Sequence, residues 1–214
     1  TAEGQRIPQE KIVVELWPES GPVNARKSLD TLLSRVRQQL TPLLPTTIKE
    51  YFFLQKGILC LDNYEIDALQ FQEIARLGIS HSKNNEWLQA HSAFQTALAI
   101  WKGSMPDDTF QSEQALDFND NLTHLLVKIG SIWANSLAKS ERWEEAITIL
   151  ERILQLNYLE EDLTTLLYKL HCRNSNPLKA REILDRYKKA LLKAEYTEDE
   201  AEGFLEEIIR SATV

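Results

Sequence analysis

The sequence predicts a mainly α-helical protein in two parts, and three observations lead there. Only seven of 214 residues are glycine, too few for a turn-rich sheet protein. Apolar residues recur at helical spacing over most of the chain. One segment, residues 142–157, returns 34 positions later at residues 176–191. Charge then divides the chain. Residues 1–62 hold eight basic and seven acidic groups, while the remainder holds 16 basic and 25 acidic ones. Such asymmetry points to two parts with different partners, since a polyanion would be repelled by the second and tolerated by the first.

The first predicted element lies in "IPQEKIVVELWPES". Pro8 suits the first turn of a helix. Ile12, Val13, Leu16 and Trp17 form its apolar face, and Pro18 ends it. A short loop, "PESGP", follows. The second element, "NARKSLDTLLSRVRQQL" at residues 24–40, places Leu29, Leu32, Leu33, Val36 and Leu40 on one stripe, so it packs on a core. Its opposite face carries Asn24, Lys27, Thr31, Ser34 and Gln38, with Arg35 beside them and Arg26 and Arg37 nearer the core edge. The helix has a single acid, Asp30.

A solvated helix face usually mixes acids with bases, whereas this one holds side chains that read base edges or hold phosphates. Gln38 and Asn24 suit adenine and Arg35 suits guanine; Arg26, Arg37 and Lys56 suit phosphates. Taken alone, the helix is equally compatible with a plain solvated basic face. Two β-rich runs come next, "YFFL" and "ILCL", with Gln55-Lys56-Gly57 between them as a hairpin turn. Helix, loop, basic helix, hairpin is the order of a winged helix, whose second helix enters the major groove.

Helices are predicted over about residues 67–82, 86–102, 112–139, 142–155, 159–173, 177–194 and 198–210. In the repeat, Ala146 aligns with Ala180, Leu150 with Leu184 and Ile153 with Tyr187. Thirty-four residues is the tetratricopeptide period. An earlier copy at residues 86–101 puts Ala90 in the place of Ala146, at an offset of 56. The inserted stretch "KGSMPDDTFQSE" and a lengthened next helix account for the difference. Small residues at Ala90, Ala146 and Ala180 let paired helices approach. Trp87, Phe94, Trp143 and Tyr187 are expected to fill the gaps between pairs, which is core packing before it is anything else. The last helix, "TEDEAEGFLEEIIRSA", opens with a threonine cap and early acids and is expected to close the stack.

These motifs resemble known families. "IPQEKIVVELWPES…ARKSLDTLLSRVRQQL" is similar to the second half of an OmpR-type winged helix. The specific part is leucine-serine-arginine-x-arginine-x-x-leucine at residues 33–40. The resemblance implies that Lys27, Thr31, Ser34, Arg35 and Gln38 sit near DNA. It also implies that the loop of Glu19, Ser20, Gly21 and Pro22 can contact RNA polymerase. The family's opening sheet and first helix would lie before Thr1. Residues 63–214 resemble the bacterial transcriptional activator domain. Asp67 to Phe71 matches its aspartate-x-x-x-phenylalanine motif, and Ala97, Leu98, Trp101 and Gly103 match its alanine-leucine-x-x-aromatic-x-glycine segment. Such domains occur in antibiotic-pathway activators of actinomycetes, in large regulators and in response regulators. The expected division is therefore residues 1–62 as a partial winged helix and residues 63–214 as tetratricopeptide-like helices.

Enzyme chemistry finds little support. His81, His91, His124 and His171 lack paired metal spacing, and no phosphate-binding loop or nucleophile elbow occurs. Glu144-Glu145, Glu160-Glu161 and Asp107-Asp108 read as solvated ends and loops. No metal and no cofactor are expected. No apolar run approaches the roughly 18 residues of a membrane span, and Cys60 and Cys172 fit a reducing cytoplasm. The chain opens on Thr1 and its one methionine is Met105, so it reads as a piece of something longer. The function expected is a DNA-binding transcription regulator whose partner is double-stranded DNA. RNA polymerase and a second copy of the chain are candidate protein partners. The alternative is a tetratricopeptide-type interaction scaffold that does not bind DNA.

Overall fold

The computed structural model describes residues 5–103, 113–156 and 159–212. Contacts divide the chain into two units, Thr1–Ile66 and Asp67–Val214. Both match the predicted class: the described residues are mainly helical, with one small sheet.

Unit 1 runs β1 (Gln5–Pro8), α1 (Gln9–Leu16), α2 (Pro22–Leu40), β2 (Phe52–Gln55) and β3 (Ile58–Leu61). The sheet is antiparallel in the order β1-β3-β2. Strand β1 was not expected. Four residues show too little alternation to signal a strand, and its partner lies more than fifty positions away, Gln5 facing Leu61. Pro8 corrects the sequence reading. It ends β1 opposite Ile58, with extended backbone angles, and α1 begins one residue later. An outer strand tolerates the missing N–H.

The hairpin turn between β2 and β3 has Lys56 at φ 50° and Gly57 at φ 76°. Two positive φ angles define the type I′ turn, whose twist matches that of the strands it joins. The Gly57 carbonyl accepts the Gln9 N–H at 2.8 Å, tying this turn to the start of α1. Leu29, Leu33, Phe52 and Leu59 are buried here, with Ile12, Val13, Trp17 and Val36 packed around them. Leu32 and Leu40 depart from the predicted stripe, being 38% and 36% exposed. At 100° per residue Leu32 stands at the stripe's edge, beside Arg35 and Ser28, and Leu40 lies in the final turn of α2.

Unit 2 consists of α3 (Asp67–Lys83), α4 (Trp87–Ile100), α5 (Glu113–Lys139), α6 (Trp143–Leu156), α7 (Glu161–Arg173), α8 (Pro177–Lys193) and α9 (Glu198–Ala212). Most of the inserted stretch "KGSMPDDTFQSE", including Met105 and the pair Asp107-Asp108, lies outside the described residues, while the lengthened next helix is α5. Helices pair as α3 with α4, α5 with α6 and α7 with α8.

The joints of these pairs are copies of one another. Asn85, Glu141 and Ser175 adopt positive φ. The next residue in each donates its N–H five positions back: Glu86 to His81, Arg142 to Leu137 and Asn176 to His171, at 2.9–3.0 Å. This closure satisfies carbonyls left open at a helix end. The three joints are spaced by 56 and 34 residues, the offsets of the repeated segments.

Ala90, Ala146 and Ala180 are buried, as their size and position predict. Two glycines supply further close approaches that spacing did not reveal. A Cβ on Gly78 would come within 2.6 Å of the Phe94 ring, and one on Gly130 within 2.8 Å of Ile153 Cδ1. One core runs from α3 through α8. Tyr187, Leu191, Ala201 and Ile208 continue it under α9, which closes the stack. The threonine cap is present: Thr197 Oγ1 accepts the Glu200 N–H at 3.3 Å, and Glu200 accepts the Thr197 N–H at 2.8 Å. Phe94 and Tyr187 are core residues and Trp143 packs against the core. Trp87 does not fill a gap as expected; it is 38% exposed.

Candidate functional site

The candidate site in unit 1 is the face of α2 opposite its buried stripe. Gly21 takes extended angles at the N-cap and Pro22 occupies the first turn, so the helix starts cleanly after the loop. Ala25, Leu29 and Leu33 fix the helix against the sheet. With that stripe inward, Asn24, Lys27, Thr31, Ser34, Arg35 and Gln38 are all exposed and share an arc about 100° wide. From Asn24 to Gln38 the arc runs about 21 Å along the axis. The side chains that the sequence marks out on this helix therefore share one face.

Their commitments differ. Lys27 and Arg35 have no ion pair among the described residues. The two flank a shallow cleft with Trp17, Ser28, Thr31 and Leu32. Thr31 donates its hydroxyl to the Lys27 carbonyl at 2.9 Å, which leaves the oxygen free to accept. Arg26 lies 3.6 Å from Glu10 on α1, a solvated pair worth about 0–1 kcal/mol and easily exchanged for another anion. Arg37 is half-buried, its guanidinium 5.6 Å from the centroid of Phe52, so part of its role is to cover the sheet. Lys56 sits exposed at the tip of the hairpin. Glu19, Ser20, Gly21 and Pro22 are exposed, in a turn held by the Ser20 N–H on the Trp17 carbonyl at 3.1 Å. Arg6 was missed with β1. It reaches Asp62 at 3.7 Å and donates to the Cys60 sulfur at 3.2 Å.

In unit 2 the two quoted motifs meet. Lys102 forms an ion pair with Asp67 at 3.1 Å, and the Phe71 ring packs tilted at 49° against Trp101 with ring centroids 4.8 Å apart. The Asp67 carboxyl is held below its ordinary value by the Lys102 ammonium and then by the Ala68 N–H. Ala97, Leu98 and Trp101 are all buried. The motif thus ties the start of α3 to the end of α4, and the family model for the bacterial transcriptional activator domain matches residues 66–201.

The chain belongs to the bacterial transcriptional activator domain family.

No curated protein matches the sequence. Among solved structures, EmbR of Mycobacterium tuberculosis, determined in complex with a low-affinity phosphopeptide, aligns over 97% of this chain at 19% identity and a TM-score of 0.60. At that identity the likeness is one of fold, and it extends through both units. This bacterial transcriptional activator domain chain spans only 55% of the EmbR chain. The C-terminal TPR-containing domain of a Plasmodium falciparum FK506-binding protein aligns over 71% of this chain and 95% of that one. Its identity is 16% and its TM-score 0.43, too low to establish a shared fold. Among the described residues no group of three or more His, Cys, Asp or Glu could hold a metal ion. No described helix is long and apolar enough to cross a membrane.

Proposed function

We propose that the chain is a non-enzymatic, DNA-binding transcription regulator of the cytoplasm. In this reading unit 1 is the second half of a winged helix and unit 2 mediates protein contacts. The observation that carries it is the outward arc of α2. It holds Lys27 and Arg35 without ion pairs among the described residues and presents Asn24, Thr31, Ser34 and Gln38 beside them. A helix set in the major groove with its stripe on a small sheet presents such an arc to base edges. Arg35 is assigned to guanine, and Asn24 and Gln38 to adenine. Arg26 and Lys56 are assigned to phosphates, with Arg37 joining them from its position over Phe52. The turn Glu19–Pro22 is assigned to RNA polymerase, and the helical pairs of unit 2 to a second copy or another protein.

The test is selection of bound duplexes from a random-sequence pool with the chain as it stands, followed by the Lys27→Ala and Arg35→Ala variants. The proposal expects an enriched sequence, lost with Arg35→Ala at one position and weakened uniformly by Lys27→Ala. Binding of protein but not of any duplex would replace it with the interaction scaffold. The net acidity of residues 63–214 is the observation that favours that second reading.

A further inference from the structure

Unit 2 carries two adjoining grooves on its helical surface. The first, about 720 Å³, lies between the start of α4 and the last turns of α5; the second, about 370 Å³, lies between α5 and α7. Ser131 and Asn135 line both, so the two form one track across three helices. Trp87 and Leu88 stand at one end, 38% and 84% exposed, as apolar anchors without cover. Beside Trp87, His91 and Ser136 hydrogen-bond at 3.2 Å across α4 and α5, which fixes the floor.

Charge gives the track its direction. Residues 67–214 carry 24 acidic and 16 basic side chains. The track reverses that balance: its lining has Lys139, Arg142, Lys169 and Arg173 against one acid, Asp162. Arg142 is engaged by Glu145 at 2.6 Å. Lys139, Lys169 and Arg173 have no ion pair among the described residues and are free to meet an incoming anion. A groove lined by four cations and one acid in an acidic domain, with exposed tryptophan and leucine at its end, is complementary to a specific kind of chain.

We propose that this track binds an extended acidic peptide segment of a partner protein, its apolar side chain on Trp87 and Leu88 and its carboxylates on Lys139, Lys169 and Arg173. This rests on the reading that unit 2 mediates protein contacts, and it names the partner's chemistry. The uncharged polar lining, Ser131, Asn135 and Thr165, suits a peptide backbone laid between the cations.

The test is fluorescence anisotropy of the full chain with a labelled peptide of alternating leucine and glutamate, beside its glutamine and lysine analogues. The acidic peptide is expected to bind, and the glutamine analogue to bind at least about tenfold more weakly. Added salt should weaken the acidic peptide most. Lys169→Glu/Arg173→Glu should raise the acidic peptide's Kd at least about tenfold with unchanged melting. Lys139→Glu, on a different helix, should act in the same direction and stands in if the double variant folds poorly. Equal binding of the three peptides, no binding at all, or variants that bind as tightly as the parent would overturn the proposal. So would a chain that sediments as a dimer and becomes monomeric in the double variant, since the track would then be a self-interface. Duplex binding is read on α2 and peptide binding on α5 and α7, so failure of one leaves the other standing.

Discussion

Unit 1 and unit 2 bury their apolar residues to different extents. In unit 2, Phe71, Phe94, Leu126, Leu150 and Leu167 are at most 1% exposed, within a core continuous over six helices. In unit 1 the buried cluster is four residues, while Val14, Leu16 and Val23 stand 50–69% exposed. The difference teaches what each unit's side chains are for. Stacked helical pairs bury a face only against the next pair, so the repeat unit turns its inward apolar stripes into one continuous core, although Leu77, Leu88 and Leu178 stay 51–84% exposed. A small sheet holding one helix commits a narrow stripe to packing and leaves the rest of that helix to its surroundings.

The largest expected effect tests this contrast in packing. Leu150→Ala removes a side chain with no exposed surface and should destabilise unit 2 by about 2–5 kcal/mol. Leu32→Ala, at a site 38% exposed, should change stability by less than about 1 kcal/mol. Chemical denaturation of both variants measures the pair, and equal losses would break the comparison.

A second, smaller effect sharpens it. Gly78→Ala would drive a methyl group to 2.6 Å from the Phe94 ring, which is itself fully buried and cannot swing aside. The expected cost is about 1–3 kcal/mol of overpacking, read as a lowered midpoint of unit 2. Gly21→Ala meets nothing within 4 Å, at a backbone angle any residue accepts, and should be near neutral.

The smallest effect depends on pH. His171 is 4% exposed, and neither ring nitrogen has a hydrogen-bond partner among the described residues. Burial holds its imidazole below the ordinary value; Glu151 and Glu182 oppose the shift and Lys179 adds to it. The folded state therefore resists a proton that the unfolded chain accepts near pH 6.5. Stability should be complete above that pH and decline as pH falls below it, because the unfolded state then binds more protons. His91, lowered by burial and by Arg142, acts in the same sense. Glu145 and Glu182, lowered by their Arg142 and Lys179 partners, lose stability only on further acidification, through the carboxylate range. Thermal melts between pH 7 and pH 5 should thus show a slope that His171→Leu reduces.

The repeat unit was nearly all legible in the sequence, because its determinants are local. Apolar spacing and small residues at Ala90, Ala146 and Ala180 fix helices and their pairing within a few turns. What escaped reading depends on partners distant in sequence. Strand β1 exists only because Ile7 meets Leu59. The demand for no side chain at Gly78 comes from a ring on the next helix. Trp87 reads as core by its type and period, yet the groove beside it lies between helices whose faces no local pattern compares. On α2 the outward arc was legible from the heptad-like stripe. That Arg26 meets Glu10 and Arg37 covers Phe52 required the neighbouring elements.

The central claim is that the outward face of α2 meets duplex DNA, and the most direct measurement is the salt dependence of duplex affinity for the chain and for Lys27→Ala/Arg35→Ala. The account predicts a linear fall of log affinity with log salt for the parent. In the double variant the slope should be shallower by up to about two, with weaker binding at every salt concentration. Equal slopes and equal affinities for the two proteins, or no duplex binding by the parent, would contradict it.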